Sequence, residues 1–596
     1  MLKSSIVCES GVPALFIDGR RETAMAYTTY FEERSCCKDF INAGYRIFFV
    51  NASFTVAPIN NFTGFSPFRK GIFEDPESPD YSEFEDAVHT ILKECPDAVI
   101  FPRIYVSMPK WWVEMHPLDV VPTQKGGCRE ALFSESFRKD GSELIKRAVR
   151  HIRSSDYADR IGGWQLCGGQ TQEWFHHDNH GSLGDAAKEP YKRWMKKHFG
   201  IDNANLPDSK DYVYNGNVCQ SSVNAKRYAL FCNFETAKTL EMFARTVKDE
   251  TSHEQVVGAF YGYSYQSNGT PLFGTHGMRA LLDSEYIDFF SAPNAYSNGR
   301  KFGMDWADMI PIDSIKLHGK LPFIECDIRT YLTTGVGRAR PGEYPEDIYT
   351  DAVWSGPATV ELSREALRKC FSHQLAKASA IWWFDMWGGW YDDLVLMKEL
   401  SDMKKIFDSE ADQKSPLLAP EVVFFADERG FSELLIDSPQ IKAISQTRTN
   451  MGNIGTPYDL FMVEDAPSVL KRYKAAVFSM PIPSEEGIRV MNLCDEYGIP
   501  YISATTDHLV LTTDEIQSFL KQSGVYIYTE EKDVVYVGNG YAALHSSIEG
   551  KKSIKLPADC IVTAIFGADI PKQVTNHIDF MLKENGTALF KIDRSN

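Results

Sequence analysis

Arg160-Ile-Gly-Gly-Trp-Gln-Leu-Cys-Gly-Gly-Gln-Thr-Gln-Glu-Trp174 is the stretch from which the rest of the chain can be read. A short apolar run, Ile161 to Leu166, breaks into glycines and amides and then delivers one carboxylate, Glu173, between Gln172 and Trp174. A buried parallel strand hands a functional group to the mouth of a barrel in this way. Leu321-Pro-Phe-Ile-Glu-Cys-Asp-Ile-Arg329 repeats the pattern and delivers Glu325. If both runs belong to one (β/α)8 barrel, their carboxylates meet across its rim.

Working outward, apolar runs at 23–27, 45–50, 98–105, 161–166, 255–261, 287–291, the Glu325 run and 380–387 read as eight strands. Helical segments alternate with them: one from Phe31 to Gly44, one opened by a Ser82-x-x-Glu85 capping box, and one capped by Ser142. Others cover 226–248 and 279–282, then a segment capped by Ser363, and 393–407. Eight strands alternating with helices in this rhythm predict a TIM barrel over residues 1–410. Asp18-Gly19 suits a hairpin turn ahead of it, with 23–27 as the second arm. After a linker, strands at 421–426, 475–479 and 500–503 with a helix at 484–497 predict an open α/β domain over 418–523. Alternating runs at 525–528, 534–537 and 588–592, with Asn539-Gly540 and Asn585-Gly586 turns, predict a small β domain over 524–596.

A formal charge of −18 argues against a phosphate-backbone partner, so nucleic acid and anionic membrane are not expected. No stretch is long and apolar enough to span a bilayer, and the first residues hold no signal-peptide core. Apart from the Cys36-Cys37 neighbours the twelve cysteines are scattered singly, which suggests a reducing compartment. The expected location is cytoplasmic, or periplasmic if a signal peptide preceded the sequence. Aromatic content is 13%, and many of these rings follow strands, where they can stack on sugar faces or fill a core. His176-His177-Asp178-Asn179-His180 has no fixed ligand geometry and reads as a solvated or substrate-lining loop rather than a metal site. Cys494 lies within a helical pattern, where core packing explains it.

Two facing carboxylates are the apparatus of glycoside hydrolysis, with an acid for the departing oxygen and, in retaining enzymes, a nucleophile at a gap of about 5 Å. Glu173 is the candidate acid, kept protonated by Trp174 and by the charge of Glu325, which is the candidate nucleophile. Around them, Trp387 at the end of strand eight is the expected sugar platform. Trp383 shares its face, while Trp382 and Phe384 read as core. Tyr296 after strand six could donate to Glu325. Arg103 and Arg329 could do the same, bind hydroxyls, or form barrel salt bridges, and Tyr263 and Gln172 complete the substrate-binding set.

In layout the chain resembles the clan A retaining glycoside hydrolases, most of all the family 42 β-galactosidases or the related family 164 β-mannosidases. The resemblance implies a TIM barrel, an amidotransferase-like α/β domain that builds a homotrimer, a small β domain, and no cofactor. In family 42 strand four reads Trp-Gln-apolar-x-Asn-Glu. Here Trp164-Gln165-Leu166 matches, the Glu arrives four positions late, and Gln172 stands for the Asn. Glu325 fits the nucleophile position, and a Tyr after strand six and a Trp after strand eight are also implied. The expected activity is cleavage of terminal β-galactosides, alternatively of β-mannosides or other β-glycosides. A sugar-binding barrel without catalysis, which the late Glu173 supports, is the other reading.

Overall fold

The computed structural model describes residues 1–177, 184–215, 218–263, 274–296, 300–409, 418–431, 434 and 438–595. Its centre is a closed parallel barrel of eight strands: β1 (Met25–Thr29), β2 (Ile47–Ser53), β3 (Val99–Val106), β4 (Gly163–Gly168), β5 (Val256–Phe260), β6 (Phe289–Ser291), β7 (Leu321–Cys326) and β8 (Ala380–Asp385). A helix follows each strand, from Cys37–Asn42 after β1 to Leu394–Ser409 after β8. This is the expected TIM barrel. The strands read as apolar runs because both faces are covered. Phe49, Phe323 and Trp382 fill the lumen, with ring centroids 5.2 and 5.7 Å from Phe49. Trp164, Ile324 and Trp383 alternate outward, against the helices.

Three expected helix starts are displaced. Ser82 is already helical and forms no side-chain cap, while the Asp80 carboxylate accepts its N–H at 2.9 Å. Ser134 rather than Ser142 caps Glu135–Arg153, and Thr359 rather than Ser363 caps Val360–Lys377. Ser134 and Thr359 have the extended backbone a cap needs, and Ser142 and Ser363 lie inside the helices. The hairpin also differs. Asp18 and Gly19 adopt φ of 48° and 75° as a tight turn requires, but the second arm is only Arg20–Arg21. A further strand, Ser4–Glu9, pairs with Val12–Ile17, and β1 belongs to the barrel.

Beyond the barrel lies a four-stranded parallel sheet of β9 (Val422–Ala426), β10 (Tyr458–Met462), β11 (Ala475–Phe478) and β12 (Tyr501–Ser503), in the order β10-β9-β11-β12. Strand β10 was not among the expected runs. Cys494 is buried in helix Glu485–Tyr497, as expected. Five antiparallel strands follow: β13 (Val534–Gly538), β14 (Tyr541–Ser546), β15 (Gly550–Phe566), β16 (Gln573–Leu582) and β17 (Gly586–Arg594). Residues 525–528, expected as a strand, form none. Among the described residues no helix is long and apolar enough to cross a membrane.

Candidate active site

β4 ends at Gly168, and the chain then leaves the barrel wall and returns to it. Gly169, Thr171, Gln172 and Trp174 have φ of 64°, 56°, 74° and 63°. Three non-glycine residues in the left-handed region within one short loop mark stored strain, which gathers at functional sites. Two backbone bonds fix the return, Trp174 N–H to Gly168 O at 2.7 Å and Gln170 N–H to Phe175 O at 2.8 Å. They bring Glu173 into a parallel bridge with Gly168. The four-residue delay is therefore a loop excursion, after which the carboxylate stands beside the strand end. The glycines permit this. A Cβ on Gly168 would lie 2.8 Å from the Trp174 ring, and one on Gly169 would lie 2.4 Å from Phe175 O.

Glu173 accepts a hydrogen bond at Oε1 from the Tyr263 hydroxyl at 2.6 Å. Its Oε2 meets the Thr171 hydroxyl, which also lies 2.7 Å from Gln170 O. Burial pushes the Glu173 carboxyl up to about 8, against the opposing pull of the Tyr263 bond and Arg103. With the carboxyl protonated, the single Thr171 hydrogen goes to Gln170 O and Thr171 Oγ accepts the Glu173 proton.

Glu325 lies on β7 with its N–H bonded to Ala292 O at 3.0 Å, and it is buried. Among the described residues its Oε2 has no hydrogen-bond partner. Burial, then the charge of Asp327 and that of Glu173, raise the Glu325 carboxyl well above the ordinary range, and Arg103 and Arg300 oppose them. The two glutamates thus sense each other and share Arg103. That guanidinium is buried among Phe260, Trp382, Tyr30 and Phe384 at 4.8, 4.9, 5.6 and 5.6 Å, and among the described residues none of its nitrogens has a hydrogen-bond partner. Among the described residues it forms no salt bridge. Gln172 accepts from the Tyr30 hydroxyl at 3.2 Å, and its Nε2 is buried without a partner among the described residues. Buried polar groups of this kind are the signature of a site that takes a polar ligand.

Two expected contacts are corrected. The Tyr296 hydroxyl donates to Asp327 Oδ2 at 2.8 Å, not to Glu325, because Asp327 lies two residues further on the same side of the chain. Trp383 faces outward, donates from Nε1 to the Tyr45 hydroxyl at 2.9 Å and is fully buried, so it is not a sugar-binding residue. Trp387 does stand at the rim, packed with Phe65, Tyr349 and Trp354 at 5.0, 5.6 and 6.4 Å. Tyr349 and Trp354 come from a loop beyond β7 that carries no strand pattern, so alternation gave no signal for them.

His176 and His177 are buried rather than solvated, and Asp178, Asn179 and His180 lie outside the described residues. The His177 ring bonds Glu130 Oε1 at 3.1 Å and accepts from Asn61 Nδ2 at 3.1 Å, while Ser107 donates to the same Glu130 oxygen at 2.5 Å. Arg129 lies 3.5 Å from Glu130 Oε2. Burial raises the Glu130 carboxyl, but Arg129, His177 and Ser107 outweigh it and hold the group at about 2. This network ties the loop carrying Glu173 to the loops after β2 and β3. Among the described residues no group of three His, Cys, Asp or Glu side chains could hold a metal.

No protein-family model matches the sequence, and no curated protein matches it. Solved structures do match. A β-galactosidase from Bacillus circulans sp. alkalophilus is 12% identical with a TM-score of 0.61, covering 96% of this chain and 99% of its own. A catalytic mutant of the GH42 β-galactosidase Gan42B from G. stearothermophilus is 10% identical with a TM-score of 0.62, covering 96% and 98%. A GH42 exo-carrageenase from Bacteroides ovatus is 12% identical with a TM-score of 0.58, covering 100% of this chain and 84% of its own. The barrel and both further sheets of this chain follow the fold of the GH42 enzymes over nearly its whole length.

Proposed function

We propose that the protein is a retaining exo-acting β-glycosidase that cleaves terminal β-galactosides. The observation that carries this reading is the pairing of a buried, partnerless carboxylate oxygen on Glu325 with a carboxyl on Glu173 whose proton is held to about pH 8. Glu325 Oε2, unencumbered by donors, attacks the anomeric carbon as Glu173 passes its proton to the leaving oxygen. Glu173, now a carboxylate, takes a proton from water, whose oxygen displaces Glu325 and restores the first configuration. Arg103 supports the ionised state of Glu325, Gln172 Nε2 offers a donor to a sugar hydroxyl, and Trp387 offers a stacking face. The likeness in fold to β-galactosidases supports the choice of sugar.

The late position of Glu173, which favoured a binding protein without catalysis, is offset by the return of the loop beside Gly168. A panel of aryl β-glycosides, galactoside and mannoside included, tests the reading. Hydrolysis of the galactoside abolished by Glu325→Ala, and rescued by azide with inverted anomeric product, is expected. Binding of galactose without turnover of any member of the panel would overturn it. Three copies are expected to associate through residues 418–523, and a monomer by light scattering would contradict this.

A further inference from the structure

Beside Asp327 lies a cavity of about 170 Å³ lined by Arg300, Arg329, Phe302, Trp306, Val353 and Ser355, among others. Asp327 is the carboxylate partner of both guanidiniums, with Arg300 and Arg329 each 2.5 Å from it. Arg329 uses only Nη1 for this pair. Its Nε and Nη2 are buried with no partner among the described residues, and they form the edge of the guanidinium that matches two oxygens of an oxyanion. The arginine is 5% exposed and packs against the Trp354 and Trp390 rings at 4.7 and 5.3 Å, so the free edge is held in place. Both guanidiniums stand against Asp327, and exposed Ser355 opens the cavity to solvent. Trp354 also stacks with Trp387 at 6.4 Å, which sets this cavity across one indole from the sugar platform.

We propose that this cavity is an oxyanion subsite that receives an acidic group, a sulfate ester or a carboxylate, carried by the saccharide. Its assignment to a saccharide group rests on the glycosidase reading; the capture of an oxyanion by Arg329 does not. The test is calorimetric titration of the full-length protein with galactose, galactose 6-sulfate and galacturonic acid. Arg329→Lys keeps the charge beside Asp327 but removes the fork, and Ser355→Glu sets a negative charge at the mouth without touching the catalytic pair. One of the two acidic sugars is expected to bind at least tenfold more tightly than galactose, and whichever does so identifies the group. Both variants are expected to erase that preference, while Ser355→Glu leaves the thermal midpoint and the hydrolysis of a neutral aryl β-galactoside unchanged. Equal affinity for neutral and acidic sugars, or a preference that survives both variants, would overturn the proposal. A preference that behaves as expected in a protein that turns over no glycoside, neutral or acidic, would uphold the subsite and sink the hydrolase reading instead.

Discussion

Glu173 is registered beside Gly168, five positions earlier in the chain, through a parallel bridge closed by the Trp174 N–H on Gly168 O at 2.7 Å. This relationship sets a carboxylate that arrives late in the sequence at the end of its strand. Gly168→Ala is expected to break it, since the new Cβ would lie 2.8 Å from the Trp174 ring. Overpacking of this kind costs about 1–3 kcal/mol. A lowered thermal midpoint together with lost hydrolysis is the expected result, and an unchanged midpoint would count against the packing account.

Tyr263→Phe tests the acid. The Tyr263 hydroxyl bond favours the charged form of Glu173 and so holds its pKa down. Without it the carboxyl stays protonated to higher pH, and the alkaline limb of the kcat/KM profile is expected to move upward from about 8. A downward shift would show that another group sets that limb.

Arg103→Met separates function from stability. The guanidinium has no hydrogen bonds to lose, and a flexible apolar side chain suits its aromatic surroundings. The thermal midpoint is expected to hold or rise, while kcat/KM falls about 100-fold, on the scale of losing one electrostatic stabiliser. The acid limb should also move up, because Arg103 lowers the Glu325 pKa.

Glu130 gives the fold an acid sensitivity. Its carboxyl is held at about 2 in the folded chain, below its ordinary value of 4.5. The stabilisation is therefore present above pH 4.5 and lost as pH falls from there toward 2. That difference amounts to at most about 3 kcal/mol. Chemical denaturation from pH 7 to pH 3 should show a steeper loss for the natural chain than for Glu130→Gln, which is expected to start less stable. Parallel curves would assign the acid response elsewhere.

The sequence by itself determined the barrel, because strands covered on both faces must be apolar throughout and eight such runs alternate with helices. It also determined that Glu173 follows β4 and that Glu325 lies at the end of β7, since a carboxylate closing a buried run stands at the rim. Only the tertiary structure decided what those groups touch. Trp383 turns outward to Tyr45 because strand alternation fixes parity but not which parity faces the lumen, and Tyr296 reaches Asp327 rather than Glu325, a choice between two positions of one parity that alternation does not make. The burial of His177 against Glu130 depends on a contact between loops far apart in sequence, which no local pattern encodes.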